Sequence, residues 1–422
     1  MRETEVDVLV VGAGPAGCSA AYHLAARGIA ALVVDQAAFP RDKVCGDGVA
    51  PRAVAALQTM GVETRIREAG YHPVRSFRVV GSWGQAVCAR ITPRPGLPDY
   101  AYVVPRRELD ALLVAAAREK GAQVLEQVRA LRCGSEAGSR LPAVRIAGPS
   151  GEVSVVHARY VVAADGARGS FSRGMLPEGA LRPGVIALRG YMRGVRMGDE
   201  ALNFFLDRPL LPGYGWIFPP GREGAPANVG VGMPVSVLRH RRMGLRGLFD
   251  WFQKFSTASA FLDGGELVGN LAAYPLQLTF VHGRRRVGQT LFVGDAANLV
   301  SPLSGEGIAY ALESGRAAAE AVAAAIESDD ATMAAVYERR IRDAYAGDFL
   351  GGYLWRRFLS IPWANGCVVR LLRRDERLAR GAMGILTNTI SPLHLLDPRL
   401  WARVLAPARL RDTVRGTHPA GG

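Results

Sequence analysis

A chain of 422 residues with a formal net charge of +14 and 49% hydrophobic residues can bury one or two large cores, and this composition excludes an intrinsically disordered protein. The five cysteines are scattered without CxxC or Cys/His spacing, so we predict neither a disulfide framework nor a metal site. No apolar run reaches about 18 residues and acidic residues precede the first one, so we predict no membrane span, no signal peptide and a cytoplasmic location.

The first predicted elements are a strand, a glycine turn, a helix and a second strand within residues 6–35. In the GxGxxG turn, Gly12 permits a tight turn, Gly14 lets the backbone approach a pyrophosphate, and Gly17 lets the helix pack closely on the strand. The N–H groups at the start of that helix point at the phosphates. Asp35 ends the second strand, where a carboxylate accepts hydrogen bonds from an adenosine ribose. The unit predicts a dinucleotide site but does not separate NAD from FAD.

Three later segments place Asp, Gly or Arg at the ends of predicted strands. Residues 105–125 form an arginine-led helix followed by a strand, residues 153–173 form a strand that runs into Asp165, and residues 284–322 form a strand that runs into Asp295 and then an alanine-rich helix. Open α/β sheets bind their ligands at such strand ends. The three segments therefore belong to the same predicted site as the glycine turn.

Together these motifs resemble the FAD-dependent oxidoreductases of the para-hydroxybenzoate hydroxylase fold. Within that group, "FPRDKVCGDGVAPRAVAAL" (39–57), "LPGYGWIFP" (211–219) and "GDAANLVSPLSGEGI" (294–308) resemble the geranylgeranyl reductase family, which includes menaquinone prenyl-chain reductases. The resemblance implies an α/β fold: a Rossmann-type FAD-binding domain, an inserted, mainly antiparallel β-sheet substrate domain and a helical C-terminal region. The implied boundaries are residues 1–75, 100–180 and 280–330 for the FAD-binding domain, 76–99 and 181–279 for the substrate domain, and 331–422 for the arginine-rich helical region.

The same resemblance implies a role for each motif residue. Arg106 would reach the pyrophosphate or lie close to the flavin, Asp165 would brace the cofactor, and Asp295 would hydrogen-bond to the ribityl chain, although both aspartates could instead cap helices. The CGDG turn would lie beside the flavin ring, and the backbone of 303–307 would cover its edge, with the next helix directing its positive end at N1 and O2. The predicted FAD-binding residues are Gly12, Gly14, Ala16, Gly17, Asp35, Gln36, Arg41, Cys45, Gly46, Asp47, Gly48, Arg106, Asp165, Gly166, Gly294, Asp295, Pro302, Gly305, Glu306, Gly307 and Ile308.

The substrate side is predicted from period-two alternation between residues 185 and 275, which indicates a sheet with one covered face. Tyr214, Trp216 and Phe218 alternate, so their rings share one face of a strand, where they suit an apolar, unsaturated chain or serve as ordinary core. Cys45 and Tyr214 are the candidate proton donors, and Trp216 is a third candidate catalytic residue. Cys45 can also be no more than a small turn residue.

The C-terminal region concentrates positive charge. From Arg356 to Arg415 there are 12 arginines against 4 acidic residues, and Pro362 and Pro392 divide the segment into helical pieces. Apolar side chains alternate with arginine at helical spacing, which fits either an amphipathic helix on an anionic membrane or a helical lid over a substrate tunnel. Only the positive charge supports nucleic-acid binding. Because the sequence contains no nucleic-acid-binding motif, we do not predict this function.

The predicted function is FAD-dependent reduction of carbon–carbon double bonds in an isoprenoid chain, of geranylgeranyl or menaquinone type, by hydride from the reduced flavin. Only one complete dinucleotide fingerprint occurs, so NADPH would visit the flavin transiently, or a ferredoxin-like or quinol donor would reduce it. The partners expected are an apolar isoprenoid or quinone substrate and, through the arginine-rich region, a membrane surface. The oligomeric state is left open.

Three alternatives remain at this stage. An FAD-dependent monooxygenase, a hydroxylase or epoxidase, needs only the flavin and a shaped pocket. A flavin-dependent halogenase is disfavoured because its Trp-x-Trp-x-Ile-Pro segment is altered here at Tyr214 and Phe218, and because none of the three lysines lies in a suitable motif. A non-catalytic flavin or isoprenoid carrier is the weakest alternative, since the FAD signature is complete.

Overall fold

The computed structural model describes residues 3–135, 141–197, 200–241, 243–280 and 283–397. The last 25 residues of the predicted arginine-rich region therefore lie outside the described part of the chain. The strands are β1 (Glu3–Val11), β2 (Ala31–Asp35), β3 (Gly48–Val49), β4 (Ser76–Gly81), β5 (Ala86–Arg90), β6 (Tyr102–Val103), β7 (Gln123–Glu126), β8 (Arg129–Ser135), β9 (Pro142–Ala147), β10 (Val153–Ala163), β11 (Val185–Arg193), β12 (Ala201–Leu206), β13 (Tyr214–Phe218), β14 (Ala227–Pro234), β15 (Glu266–Leu276), β16 (Arg286–Val287) and β17 (Thr290–Phe292). The α-helices are α1 (Pro15–Ala25), α2 (Pro51–Thr59), α3 (Val62–Glu68), α4 (Arg106–Glu119), α5 (Ser170–Met175), α6 (Val235–Leu238), α7 (Leu245–Phe255), α8 (Ser259–Leu262), α9 (Ile308–Glu327), α10 (Ala335–Leu359), α11 (Pro362–Arg374) and α12 (Glu376–Leu386).

The first large sheet is mainly parallel and follows the order β16-β17-β10-β1-β2-β7, with β8 and β9 paired beside β10. Its central strands are apolar along their length because both faces of the sheet are covered, and Leu9, Val10 and Val33 are fully buried. Helix α1 packs directly on α9, where a Cβ on Gly315 would lie 2.2 Å from the carbonyl oxygen of Ala16. The carboxyl ends of β1, β2, β10 and β17 therefore open at one edge, as expected for a ligand-binding α/β sheet.

The second large sheet follows the order β15-β11-β14-β13-β12-β4-β5 and is antiparallel except between β12 and β4. Adjacent residues of β12 face opposite sides: Phe205 packs against Phe252 of α7, while Phe204 packs against Tyr214 and Phe218 of β13. Tyr214, Trp216 and Phe218 lie on one face and belong to one apolar cluster, in line with their alternation.

The alternation had indicated one covered face for this second sheet, and the structure corrects that prediction. Helix α7 covers one face, and residues of α11 and α12, among them Val369 and Met383, pack on the other. Helices α11 and α12 come about 150 residues after β13 in the chain, so local alternation carries no signal for them. The two prolines act as predicted, since Pro362 begins α11 and Pro392 begins a short 3-10 helix. Among the described helices, none combines the length and hydrophobicity needed to cross a membrane.

Candidate active site

A first cavity of about 380 Å³ lies at the carboxyl ends of β1, β2 and β10, around the glycine turn. The turn needs glycine at two positions for steric reasons. Gly12 has φ +103°, and a Cβ there would lie 2.5 Å from the oxygen of Ala164; a Cβ on Gly17 would lie 1.8 Å from the oxygen of Gly12. A Cβ on Gly14 would instead point toward Arg41, 3.7 Å from its guanidinium, so the open side of the turn faces the cavity.

Asp35 lies at the wall of this first cavity, and its carboxylate also organises the surrounding loops. One oxygen accepts a hydrogen bond from the N–H of Ala13 at 2.7 Å, and the other accepts from the N–H of Ala37 at 2.9 Å. These bonds fix the carboxylate at the end of β2, where the sequence predicts contact with a ribose. The cavity thus offers the glycine turn and the acid that an adenosine diphosphate requires.

Charged side chains surround the middle of the cavity. The guanidinium of Arg106, which is 2% exposed, donates to both oxygens of Asp110 at 2.6 and 2.7 Å. Arg41 also contacts Asp110 at 2.7 Å, and Lys43 pairs with Asp295 at 3.1 Å. Burial alone would raise the pKa of Asp110, but the neighbouring cations lower it below its ordinary value. Within this group, three cations face two carboxylates, and this local excess of positive charge favours an anionic pyrophosphate.

A second cavity of about 190 Å³ continues from the first, and both are lined by Pro15, Lys43, Arg106, Tyr274, Asp295 and Ala311. One wall consists of the CGDG turn and the loop from Val300 to Gly307. Aromatic side chains of the second sheet, including Phe204, Tyr214 and Trp216, also line this cavity and adjoin the turn and the loop. The two joined cavities form an elongated cleft with a polar, charged half and a largely apolar half, and this division fits FAD with its adenosine end in the first cavity and its ring in the second.

The CGDG turn is held in place by Asp47, which has φ 61° and is fully buried. Its carboxylate accepts hydrogen bonds from Tyr191 Oη at 2.6 Å, Asn228 Nδ2 at 2.7 Å and the N–H of Arg106 at 3.2 Å. Burial raises the pKa of Asp47 to about 6, with these hydrogen bonds opposing the rise. Asn228 also donates to the carbonyl oxygen of Cys45 at 2.9 Å, so the turn is tied to the second sheet.

The three candidate catalytic residues have different surroundings. Burial raises the pKa of the Cys45 thiol and of the Tyr214 phenol, so both groups keep their protons at neutral pH. The phenol of Tyr214 donates to the carbonyl oxygen of Ser304. The indole N–H of Trp216 donates to Asn228 Oδ1 at 2.8 Å, so Trp216 shapes the wall and its N–H is already engaged.

The side chain of Glu306, in the predicted flavin loop, is a buried carboxyl group with a raised pKa. Its side chain accepts a hydrogen bond from the N–H of Ala309 at 2.7 Å, at the start of α9, and Asn388 donates to its other oxygen at 3.5 Å. Burial raises the pKa of Glu306 to about 7. A carboxyl group that is part protonated at neutral pH therefore lines the second cavity, a feature that the sequence analysis missed.

Most of the predicted FAD-binding residues lie at the walls of the two cavities. These are Gly12, Gly14, Ala16, Asp35, Gln36, Arg41, Cys45, Gly46, Gly48, Arg106, Asp165, Gly166, Asp295, Pro302, Gly305, Glu306, Gly307 and Ile308. Gly17, Asp47 and Gly294 instead shape the backbone, because Gly17 and Gly294 are in close contact with neighbouring chain and Asp47 faces the second sheet. The carboxylate of Asp165 accepts from the N–H of Ser172 at 3.0 Å and from its hydroxyl, so it holds the start of α5. Direct contacts of individual residues with FAD stay predictions.

Sequence reasoning missed several residues that line or shape the cleft, namely Lys43, Asp110, Tyr191, Phe204, Asn228 and Tyr274. Asp110 carried a usable signal, because it follows Arg106 by four residues on a predicted helix, where an arginine and an acid meet. The others come from separate strands and loops and are joined only by the tertiary fold.

The cleft and the two-sheet fold define a flavoprotein oxidoreductase, and comparison with known proteins narrows the class. Residues 5–179 match a family profile described as "FAD binding domain". The chain is 32% identical to menaquinone reductase of Mycobacterium tuberculosis over 422 residues, covering 95% of each chain. It is 33% identical to digeranylgeranylglycerophospholipid reductase 2 of Methanopyrus kandleri over 359 residues, covering 82% of this chain and 83% of the relative.

A solved structure supports the same placement. A geranylgeranyl bacteriochlorophyll reductase-like protein from Thermoplasma acidophilum superposes with a TM-score of 0.78 at 26% identity, covering 88% of this chain and 92% of the other. The chain belongs to the geranylgeranyl reductase family. It is an FAD-dependent oxidoreductase that reduces isoprenoid chains, and the predicted fold class and cofactor are confirmed.

Proposed function

We propose that this protein reduces a double bond in the prenyl chain of a membrane quinone. Support comes first from a third cavity of about 140 Å³ between the second sheet and helices α10 to α12. It joins the second cavity through seven residues that line both, Phe204, Pro212, Gly213, Tyr214, Leu303, Arg356 and Leu386. A long apolar substrate can therefore extend from the flavin side of the cleft into a space with leucine, valine and methionine walls.

The residues around the second cavity supply what the reduction needs. Bound FAD, once reduced, supplies a hydride to one alkene carbon, and the other carbon requires a proton. The aromatic wall formed by Phe204, Trp216 and Phe218 orients the chain and excludes water. Cys45 and Glu306 hold protons at the cavity wall because burial raises the pKa of each. The Tyr214 phenol fixes the flavin loop through its bond to Ser304.

The experiment that tests this function uses anaerobic holoenzyme reduced with dithionite and mixed with menaquinone-4 in detergent micelles. The expected product is a quinone heavier by two hydrogens, detected by mass spectrometry, with the naphthoquinone ring intact after reoxidation. A product that carries oxygen when the reaction is run in air would indicate a monooxygenase instead. Unchanged menaquinone-4, together with reduction of geranylgeranyl diphosphate, would show that the quinone assignment is wrong.

We further propose that α10 and α11 dock the protein on an anionic membrane, from which the quinone enters. Exposed apolar side chains follow one helical stripe of α10 and continue into α11, namely Leu350, Leu354, Phe358, Ile361 and Trp363. Exposed arginines lie on the same helices and on α12, namely Arg357, Arg370, Arg373, Arg374, Arg377 and Arg380. This combination suits a bilayer that contains anionic lipids, and the third cavity lies directly beneath these helices.

Vesicle co-sedimentation tests the docking surface. The double substitution of Phe358→Glu and Trp363→Glu should weaken binding to vesicles of phosphatidylglycerol and phosphatidylcholine by at least about tenfold, since apolar insertion and charge attraction are both reduced. Phe255→Glu is the matched control, because Phe255 is 72% exposed on the distant helix α7. Equal binding of the double variant and the control would contradict docking through α10 and α11.

A further inference from the structure

Within the apolar third cavity one side chain stands apart in its chemistry. Asn365 of α11 lines this cavity and is 1% exposed, yet neither its amide nitrogen nor its amide oxygen has a hydrogen-bond partner among the described residues. The neighbouring positions on the same helix face, Val368, Val369 and Leu372, are apolar and line the cavity as well. A buried amide without partners costs about 1–3 kcal/mol, so it is an unfavourable choice for packing alone.

A second polar group lies at the junction with the second cavity. Arg356, near the end of α10, lines both cavities, and its Nη1 is buried without a hydrogen-bond partner in the described part of the chain. No carboxylate within the described residues forms an ion pair with it. Burial lowers the pKa of Arg356, with Tyr353 opposing the shift, which is the behaviour of a guanidinium that has lost water without gaining an acid.

From these two groups we infer that the third cavity is the binding site for the head of the substrate, and that Asn365, assisted by Arg356, hydrogen-bonds to a carbonyl oxygen of a neutral quinone ring. This inference rests on the proposed reduction of a quinone prenyl chain and adds the residues that select the head group. The amide offers both a donor and an acceptor, so it matches a quinone carbonyl and also the hydroxyl of the corresponding quinol. The prenyl chain leaves the ring past Phe204 and Tyr214 toward the second cavity.

The charge of the third cavity favours a neutral quinone ring over the charged head groups of other isoprenoids. A diphosphate or a phospholipid head carries at least one full negative charge, and burial of such a group requires several paired cations. Arg356 is the only charged side chain among the residues that line the third cavity in the described structure. A flat, neutral ring with carbonyl oxygens instead buries apolar area against the leucines and places its acceptors on the two unpartnered donors.

Substitution of Asn365 by leucine tests the inference with the full-length holoenzyme. The probes are menaquinone-4 and the tetraprenyl hydrocarbon of the same chain without a head group, both in detergent micelles, and binding is read from the change in flavin fluorescence. Asn365→Leu should lower the preference for menaquinone-4 over the hydrocarbon about tenfold, the value of a lost buried hydrogen bond. Val369→Ala is the matched control, since it changes packing in the same cavity without removing a polar group, and it should keep the preference.

Thermal stability gives a readout independent of turnover. Because leucine removes a buried, unpartnered amide, the Asn365→Leu holoenzyme without substrate should melt at a higher temperature than the wild type. A lower melting temperature would show a structural amide and overturn the inference, as would an unchanged preference between the two probes. Equal weakening for geranylgeranyl diphosphate and menaquinone-4 would likewise overturn recognition of a carbonyl. A failure of the proposed quinone reduction can be distinguished from a failure of this inference. In that case the wild-type enzyme forms no reduced menaquinone-4 chain.

Discussion

The buried carboxyl of Glu306 predicts how the reaction depends on pH. Burial raises its pKa to about 7, so this carboxyl group in the second cavity loses its proton as the pH increases through neutrality. A single group with this pKa falls from about 90% to about 10% protonated between pH 6 and pH 8. If Glu306 supplies or relays the proton to the alkene, the rate of chain reduction in a single turnover should fall about tenfold across that interval.

The assay is anaerobic single-turnover reduction of menaquinone-4 by pre-reduced holoenzyme, quenched and measured by mass spectrometry from pH 6 to pH 8. Glu306→Gln keeps an oxygen that accepts from Ala309 but cannot titrate, so it should be slow and nearly independent of pH. Glu320→Gln is the matched control on the exposed side of α9, where Glu320 pairs with Arg316 and Arg340. A wild-type rate that is flat with pH, or a Glu306→Gln profile that retains the tenfold fall, would refute a role for Glu306 in proton delivery.

Three further predictions concern FAD binding, chain binding and stability. Asp35→Ala removes an acceptor from the predicted ribose site and two backbone hydrogen bonds, so FAD should bind at least about tenfold more weakly, measured by flavin fluorescence on dilution. Gly46→Ala places a Cβ 3.2 Å from the ring of Phe218, and the narrower cavity should raise KM for menaquinone-4 in steady-state assays. Phe252→Ala should lower the free energy of unfolding by about 3–5 kcal/mol in a denaturant titration, against less than about 0.5 kcal/mol for the exposed control Phe255→Ala.

The sequence predicts the parts of this fold that depend on local pattern. The apolar run of β1, the steric needs of Gly12 and Gly17 and the acid that ends β2 lie within about thirty residues, and each has a physical meaning before any tertiary contact is known. The alternation of Tyr214 with Trp216 likewise predicts a shared face. These features required no knowledge of distant parts of the chain.

The residues that sequence reasoning missed depend on contacts between distant segments. Asn228 lies in a uniformly buried strand, and its importance follows from bonds to Cys45, Asp47 and Trp216 that only the folded chain brings together. Lys43 lies within the segment 39–57 that carries the family resemblance, but its partner Asp295 lies 252 residues away. Asn365 did carry a local signal, since it is a polar residue on the apolar face of a predicted helix.

The arrangement of the three cavities separates cofactor binding from substrate choice. The first cavity is built from the first sheet and its glycine turn, whereas the third is built largely from α10, α11 and α12, which follow the end of that sheet in the chain. The flavin loop from Val300 to Gly307 lies between them, so both meet at the second cavity. Leu303 of the flavin loop also lines the third cavity, but the glycine turn does not, so substitutions in α11 should change which isoprenoid head is accepted while the flavin stays bound.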